Sequence, residues 1–164
     1  MLAEDKKIVP IGIEENMNAD LSLDSIDMSG AHKATIILMF GTLGTASSTL
    51  AVYSGDANAD LDSAIYFKYA WGGAAQGTAT AGSTTSCDVL AAWTEANSVT
   101  ITHGTYSNYM LVIEVDAAKM DIANGEHWLT VRIPREGSAT GSVTAVAILE
   151  PRYTGNRSET VLAE

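Results

Sequence analysis

The stretch "EVDAAKMDIANGEHWLTVRI", residues 114–133, decides how the chain is read. It holds the end of one strand, a tight turn and the whole of a second strand. Leu129, Val131 and Ile133 alternate with Trp128, Thr130 and Arg132, and a period of two marks a strand with one buried face. Asp116 stands where a carboxylate caps a turn running to Met120. Asn124-Gly125 supplies the left-handed backbone for the reversal into the next strand. Asp116, Asp121 and His127 are therefore read as turn and cap residues, not as a chemical site.

The same period recurs on both sides of this stretch. "STLAVYSG" (48–55) places Leu50 and Val52 on one face, and "AIYFKYAW" (64–71) places Ile65, Phe67 and Tyr69 together. Val99 and Ile101 alternate with threonines. "YMLVIEV" (109–115) gathers Leu111, Ile113 and Val115, and "GSVTAVAIL" (141–149) gathers Val143, Ala145, Ala147 and Leu149. "ATIILMF" (34–40) is apolar throughout and reads as a buried strand. With Gly, Asn, Asp and Ser turns between them, these segments predict an all-β fold, an antiparallel β-sandwich or jelly roll. Helix is expected to be scarce, with "LSLDSID" (21–27) as one candidate.

Domain boundaries follow from composition. Residues 1–17 are polar and charged, interrupted by Pro10 and Gly12, and read as an extended N-terminal arm. Residues 18–150 form the sandwich, and 151–164 read as a C-terminal tail. "WGGAAQGTATAGSTTSC" (71–87) reads as a long loop, with a recognition role as its functional alternative. The chain of 164 residues is long enough for one self-sufficient core. Its single cysteine, Cys87, excludes an internal disulfide and reads as a partly buried thiol.

Charge narrows the partners. Twenty acidic residues face nine basic ones, for a formal net charge of −11. Such a chain is a poor ligand for nucleic acid and for anionic membranes, because both bind through clustered Lys and Arg. The basic residues are also scattered along the sequence. No secretion signal and no apolar run of membrane-spanning length is present in the sequence. A soluble protein made in a cytoplasm is expected.

Chemistry-bearing patterns fail on inspection. "DANADLD" (56–62) begins like a calcium loop, with Asp56, Asn58 and Asp60 as oxygen donors. Leu61 then occupies the position that needs glycine, and Phe67 the position that needs a bidentate glutamate. His32, His103 and His127 form no zinc pattern. No hydrolase elbow or phosphate-cradling loop occurs, and no pair of carboxylates is singled out for glycoside hydrolysis. Neither a cofactor nor a metal is expected, and neither is enzymatic turnover. Trp71 and Trp93, with the 71–87 loop, leave open a carbohydrate- or receptor-binding module, as on a fibre.

The order of these segments resembles a family of small tailed-bacteriophage virion proteins, over roughly residues 26–153. In that family an E-V-D-A-D-E-L-D segment leads through Asn-Gly to a strand, a small-residue loop and a last strand ending in Pro-Arg-Tyr. Glu114-Val115-Asp116, Asn124-Gly125 and Pro151-Arg152-Tyr153 match. Ala118, Lys119 and Met120 replace the family's Asp-Glu-Leu. The resemblance implies a capsid decoration or cement protein on the virion head surface, with a tail-tube or head-completion protein as the alternative. It further implies the major capsid protein as partner and self-association, with a homotrimer expected from the local three-fold positions of icosahedral shells. Ile8, Val9, Pro10, Ile11 and Ile13 of the N-terminal arm, with Arg152 and Tyr153 of the tail, are the expected contact residues.

Overall fold

The computed structural model describes residues 5–44, 46–153 and 160–162. Its strands, in chain order, are β1 (Lys7–Asn16), β2 (Leu21–Ser22), β3 (Ile26–Asp27), β4 (Ala31–Phe40), β5 (Ser48–Gly55), β6 (Ser63–Ala64), β7 (Phe67–Trp71), β8 (Thr94–Ala96), β9 (Ser98–Ile101), β10 (Met110–Asp116), β11 (Trp128–Ile133) and β12 (Ser142–Pro151). Sheet A has the order β1-β12-β4-β10-β7-β8. Sheet B has the order β2-β11-β5-β6, with β3 also paired to β11 and β9 to β5. Every pairing is antiparallel, and the two sheets pack into an all-β sandwich. Among the described residues, helix is confined to short turns such as α1 (His103–Tyr106) and the 3-10 turns Ala117–Lys119 and Ile122–Asn124.

The alternation seen in the sequence sets the core. Ile36, Leu38, Leu111, Ile113, Val115, Val143, Ala145, Ala147 and Leu149 point inward from sheet A. Leu50, Val52, Val99, Ile101, Leu129, Val131 and Ile133 meet them from sheet B. β-Branched side chains suit this pleated surface, and their removal from water is the main stabilising term. One end of the core is closed by aromatic rings. Trp71 stacks on Tyr106 at 3.7 Å and 4° and lies 5.8 Å from Phe40.

Three expectations need correction. The supposed N-terminal arm is, from Lys7 to Asn16, an edge strand of sheet A, registered Lys7↔Leu149 through Asn16↔Ser142. Val9 and Ile11 are 4% and 1% exposed, so they belong to the core. Pro10 is compatible with the strand because an edge position tolerates a missing N–H. The pairing is irregular between Pro10 and Glu15, and at Gly12 an added Cβ would lie 2.8 Å from the Leu23 side chain. Residues 21–27 form β2 and β3 rather than helix, because Leu21, Leu23 and Ile26 are drawn into the core beside β11. The tail also docks in part. The Arg152 N–H donates to the Gly30 carbonyl, and the Asp27 N–H to the Val161 carbonyl, while Leu162 bridges Ile26. The domain thus takes in residues 5–17, 151–153 and 160–162 as well as 18–150; residues 1–4, 154–159 and 163–164 of the expected arms lie outside the described residues.

The turn in the deciding stretch is built as its sequence predicts. Asp116 accepts from the Ala118 N–H at 2.9 Å, and Gly125 adopts φ 87°. Asn124 Nδ2 donates to Asp121 Oδ2 at 2.7 Å, which ties the loop to itself.

Candidate interaction surface

Side chains on the outer face of sheet A come from the residues between those that face the core, although two of them, Ala70 and Val112, are only 1% and 7% exposed. Cross-strand register aligns Ala70, Val112, Ile37, Val146 and Pro10 in one row over β7, β10, β4, β12 and β1. All five are apolar. The row next to it pairs Thr35 with Ile148 and Ile148 with Ile8. On the opposite side Met39 pairs with both Met110 and Thr144. Ile8 is 50% exposed and Met39 47%, while Ile37, Val146 and Ile148 are half-buried. An antiparallel sheet that faces water on one side normally alternates apolar-in and polar-out. Sheet A departs from this across its middle.

Charges of alternating sign line one end of the same face. Lys119 pairs with Glu95 at 3.1 Å, Lys33 with Glu114 at 2.7 Å and Lys6 with Glu150 at 2.6 Å. Lys68 is registered between Glu95 and Glu114, yet both carboxylates are held by other lysines. Among the described residues it forms no ion pair. The Lys6 ammonium, with Lys33 and His32 near, holds the Glu150 carboxyl below the usual carboxylate range against a smaller effect of burial. Lysines scattered in the sequence are therefore gathered by the fold. A groove of about 320 Å³ runs among Lys33, Tyr66, Lys68, Glu95, Glu114 and Lys119.

The expected contact residues divide between surface and interior. Ile8, Pro10 and Ile13 of β1 are exposed, Ile13 to 70%, and Tyr153 is 72% exposed. Val9 and Ile11 are sealed in the core and have no surface to offer a partner. Arg152 is held from both ends, with Nε donating to the Ala31 carbonyl at 3.0 Å.

Two further groups were singled out in the sequence. Asp56, Asp60 and Asp62 bring carboxylate oxygens within 4.8 Å of one another. A hydrogen bond from Asp56, burial and the charges of Asp62 and Asp56 together raise the Asp60 carboxyl above its ordinary range. Phe67, at the position where a calcium loop needs its glutamate, is 2% exposed in the core. Trp71 has its ring taken by Tyr106, which removes it from any sugar platform, whereas Trp93 is 43% exposed. The buried Glu126 accepts from Ser54 Oγ at 2.5 Å and Ser63 Oγ at 3.0 Å. It anchors β11 to β5 and β6, a role with no signal in the sequence.

No protein-family model matches the chain, and no curated protein matches it. Among solved structures it is similar to the crystal structure of the SPBc2 prophage-derived protein YomS, at 12% identity and a TM-score of 0.49, over 88% of this chain and 92% of that one.

Proposed function

We propose that the chain is a structural virion protein, a decoration or cement protein that binds the outer surface of a tailed-phage head. The observation that supports it best is the exposure of large apolar side chains on the sandwich rim. Ile13 stands out from edge strand β1, and Tyr153 follows the end of β12. Each gains about 25 cal/mol per Å² when covered by a partner. Single contacts of this size are weak, but a repeating shell multiplies them through avidity. The Glu114-Val115-Asp116, Asn124-Gly125 and Pro151-Arg152-Tyr153 resemblance adds to the reading.

On this reading the protein acts by binding alone, without metal, cofactor or turnover. Its partner is the major capsid protein. Copies assemble as a homotrimer after synthesis in the host cytoplasm. The net charge of −11 disfavours contact with packaged DNA or with membrane.

The test is decoration of particles that lack the protein. Purified wild type should bind them. The Ile13→Asp, Tyr153→Ala double variant should keep its melting temperature and bind at least about tenfold less tightly, as expected for losing one or two interface anchors. Failure of the wild type to bind, or equal binding by the variant, would count against the proposal.

A further inference from the structure

We infer that the outer face of sheet A binds a second copy of this chain. The inference rests on the proposed self-association and gives it an interface.

The first ground is the exposed stretch of the outer apolar row, Ile37, Val146 and Pro10 on β4, β12 and β1. Ala70 and Val112 continue the row but are only 1% and 7% exposed. Rows on both sides add Ile148, Ile8, Met39 and Met110. Apolar side chains gathered on one exposed face mark an interaction site.

The second ground selects the occupant. Lys6, Lys33, Lys68 and Lys119 are balanced on this face by Glu95, Glu114, Asp116 and Glu150. The chain has five lysines in all, so four of them are spent on one patch. The formal charge of −11 then falls on the rest of the molecule, where two copies repel. With its charges balanced, this face lets an acidic chain meet its own copy without that repulsion. The alternating signs make the patch its own electrostatic complement, since lysines of one copy can face carboxylates of the next. Lys68, with no ion pair among the described residues, is the cation free to make the first such contact.

The test uses the full chain in sedimentation equilibrium. Wild type should form an oligomer. Ile37→Glu places a charge in the middle of the apolar row and should weaken association about 100-fold, the effect of an uncompensated charge in an interface. Thr100→Glu adds the same charge on the exposed face of sheet B and should leave association unchanged. Zero-length cross-linking of mixed labelled and unlabelled wild type provides a readout free of folding effects. It should join Lys68 of one copy to Glu95 or Glu114 of another. A monomeric wild type, equal weakening by both variants, or inter-copy links confined to other faces would each overturn the inference. Particle binding by the monomeric Ile37→Glu variant tests the capsid reading separately.

Discussion

The two sheets bury similar inner faces but present opposite outer ones. Across the middle of sheet A the outward row is Ala70, Val112, Ile37, Val146 and Pro10. Across sheet B the corresponding row is Ser98, Ala51, Arg132 and Ser22. Thr130, also outward on sheet B, is sealed by the Ser25 hydroxyl at 2.6 Å, and the Ala59 N–H of the 56–62 loop donates to that same oxygen at 3.0 Å. Sheet B thus covers or hydrates its outer polar groups with its own chain. Sheet A covers Ala70 and Val112 but leaves Ile8, Pro10, Ile37, Met39, Val146 and Ile148 wholly or partly uncovered. Folding alone does not require the second arrangement, so the difference separates what holds the sandwich together from what it holds onto.

The sharpest way to break this comparison is within sheet A itself. Ile11, on the inner face of β1, is 1% exposed. Ile11→Ala should cost about 2–5 kcal/mol. Ile37→Ala, on the outer face and half-buried, should cost less than about 1.5 kcal/mol in dilute solution. Denaturant unfolding of both variants measures the gap. Equal costs would return β1 to the status of a loose arm.

A smaller effect concerns the turn that leaves sheet A for sheet B. Asp116→Ala removes the acceptor for the Ala118 N–H and should cost about 0.5–2 kcal/mol. The same unfolding experiment reads it. A cost near zero would mean that water replaces the cap without loss.

The smallest effects have opposite signs on the two sheets. Glu150 on sheet A is held below its ordinary range by the hydrogen bond and charge of Lys6. Its stabilisation is present above the usual carboxylate range and is lost as pH falls through the folded-state value. Asp60, beside sheet B, is raised first by its hydrogen bond with Asp56. Its proton is held more tightly in the folded state, so stability falls as pH rises through the carboxylate range. Glu150→Gln should therefore lower the melting temperature at pH 7, and Asp60→Asn should raise it. Both differences should vanish in acid below the carboxylate range. Shifts of the same sign for the two variants would show that the pairing of charges on sheet A gives it no advantage over the crowded acids of sheet B.

Much of the fold was legible because inner and outer residues differ in polarity. Leu129, Val131 and Ile133 alternate with a charged, a polar and an amphipathic residue, so their inward face is plain. β1 was missed for the opposite reason. Ile8 and Pro10 on its outer face are as apolar as Val9 and Ile11 on the inner one. Gly12 and the irregular pairing up to Glu15 then break the period. β2 and β3 are two residues each, too short for any period to show. The "ATIILMF" run hides its two faces in the same way, and Ile37 and Met39 read as core until the register places them outside. The outward row draws one residue from each of five strands, so it exists only in the register and not in any local pattern. The lysines of sheet A are scattered in sequence for the same reason. Of the acidic loop, the sequence singled out Asp56 and Asp60, and the fold brings Asp62 within 4.8 Å of both.

Cryo-EM of phage particles carrying the protein tests the central claim most directly, because one map shows both what the chain binds and which face it uses. The predicted result is density on the outer head surface. Copies should be joined through the outer face of sheet A, with Ile13 and Tyr153 turned toward the shell. Density in the tail or inside the head, or isolated copies whose sheet A faces open solvent, would contradict it.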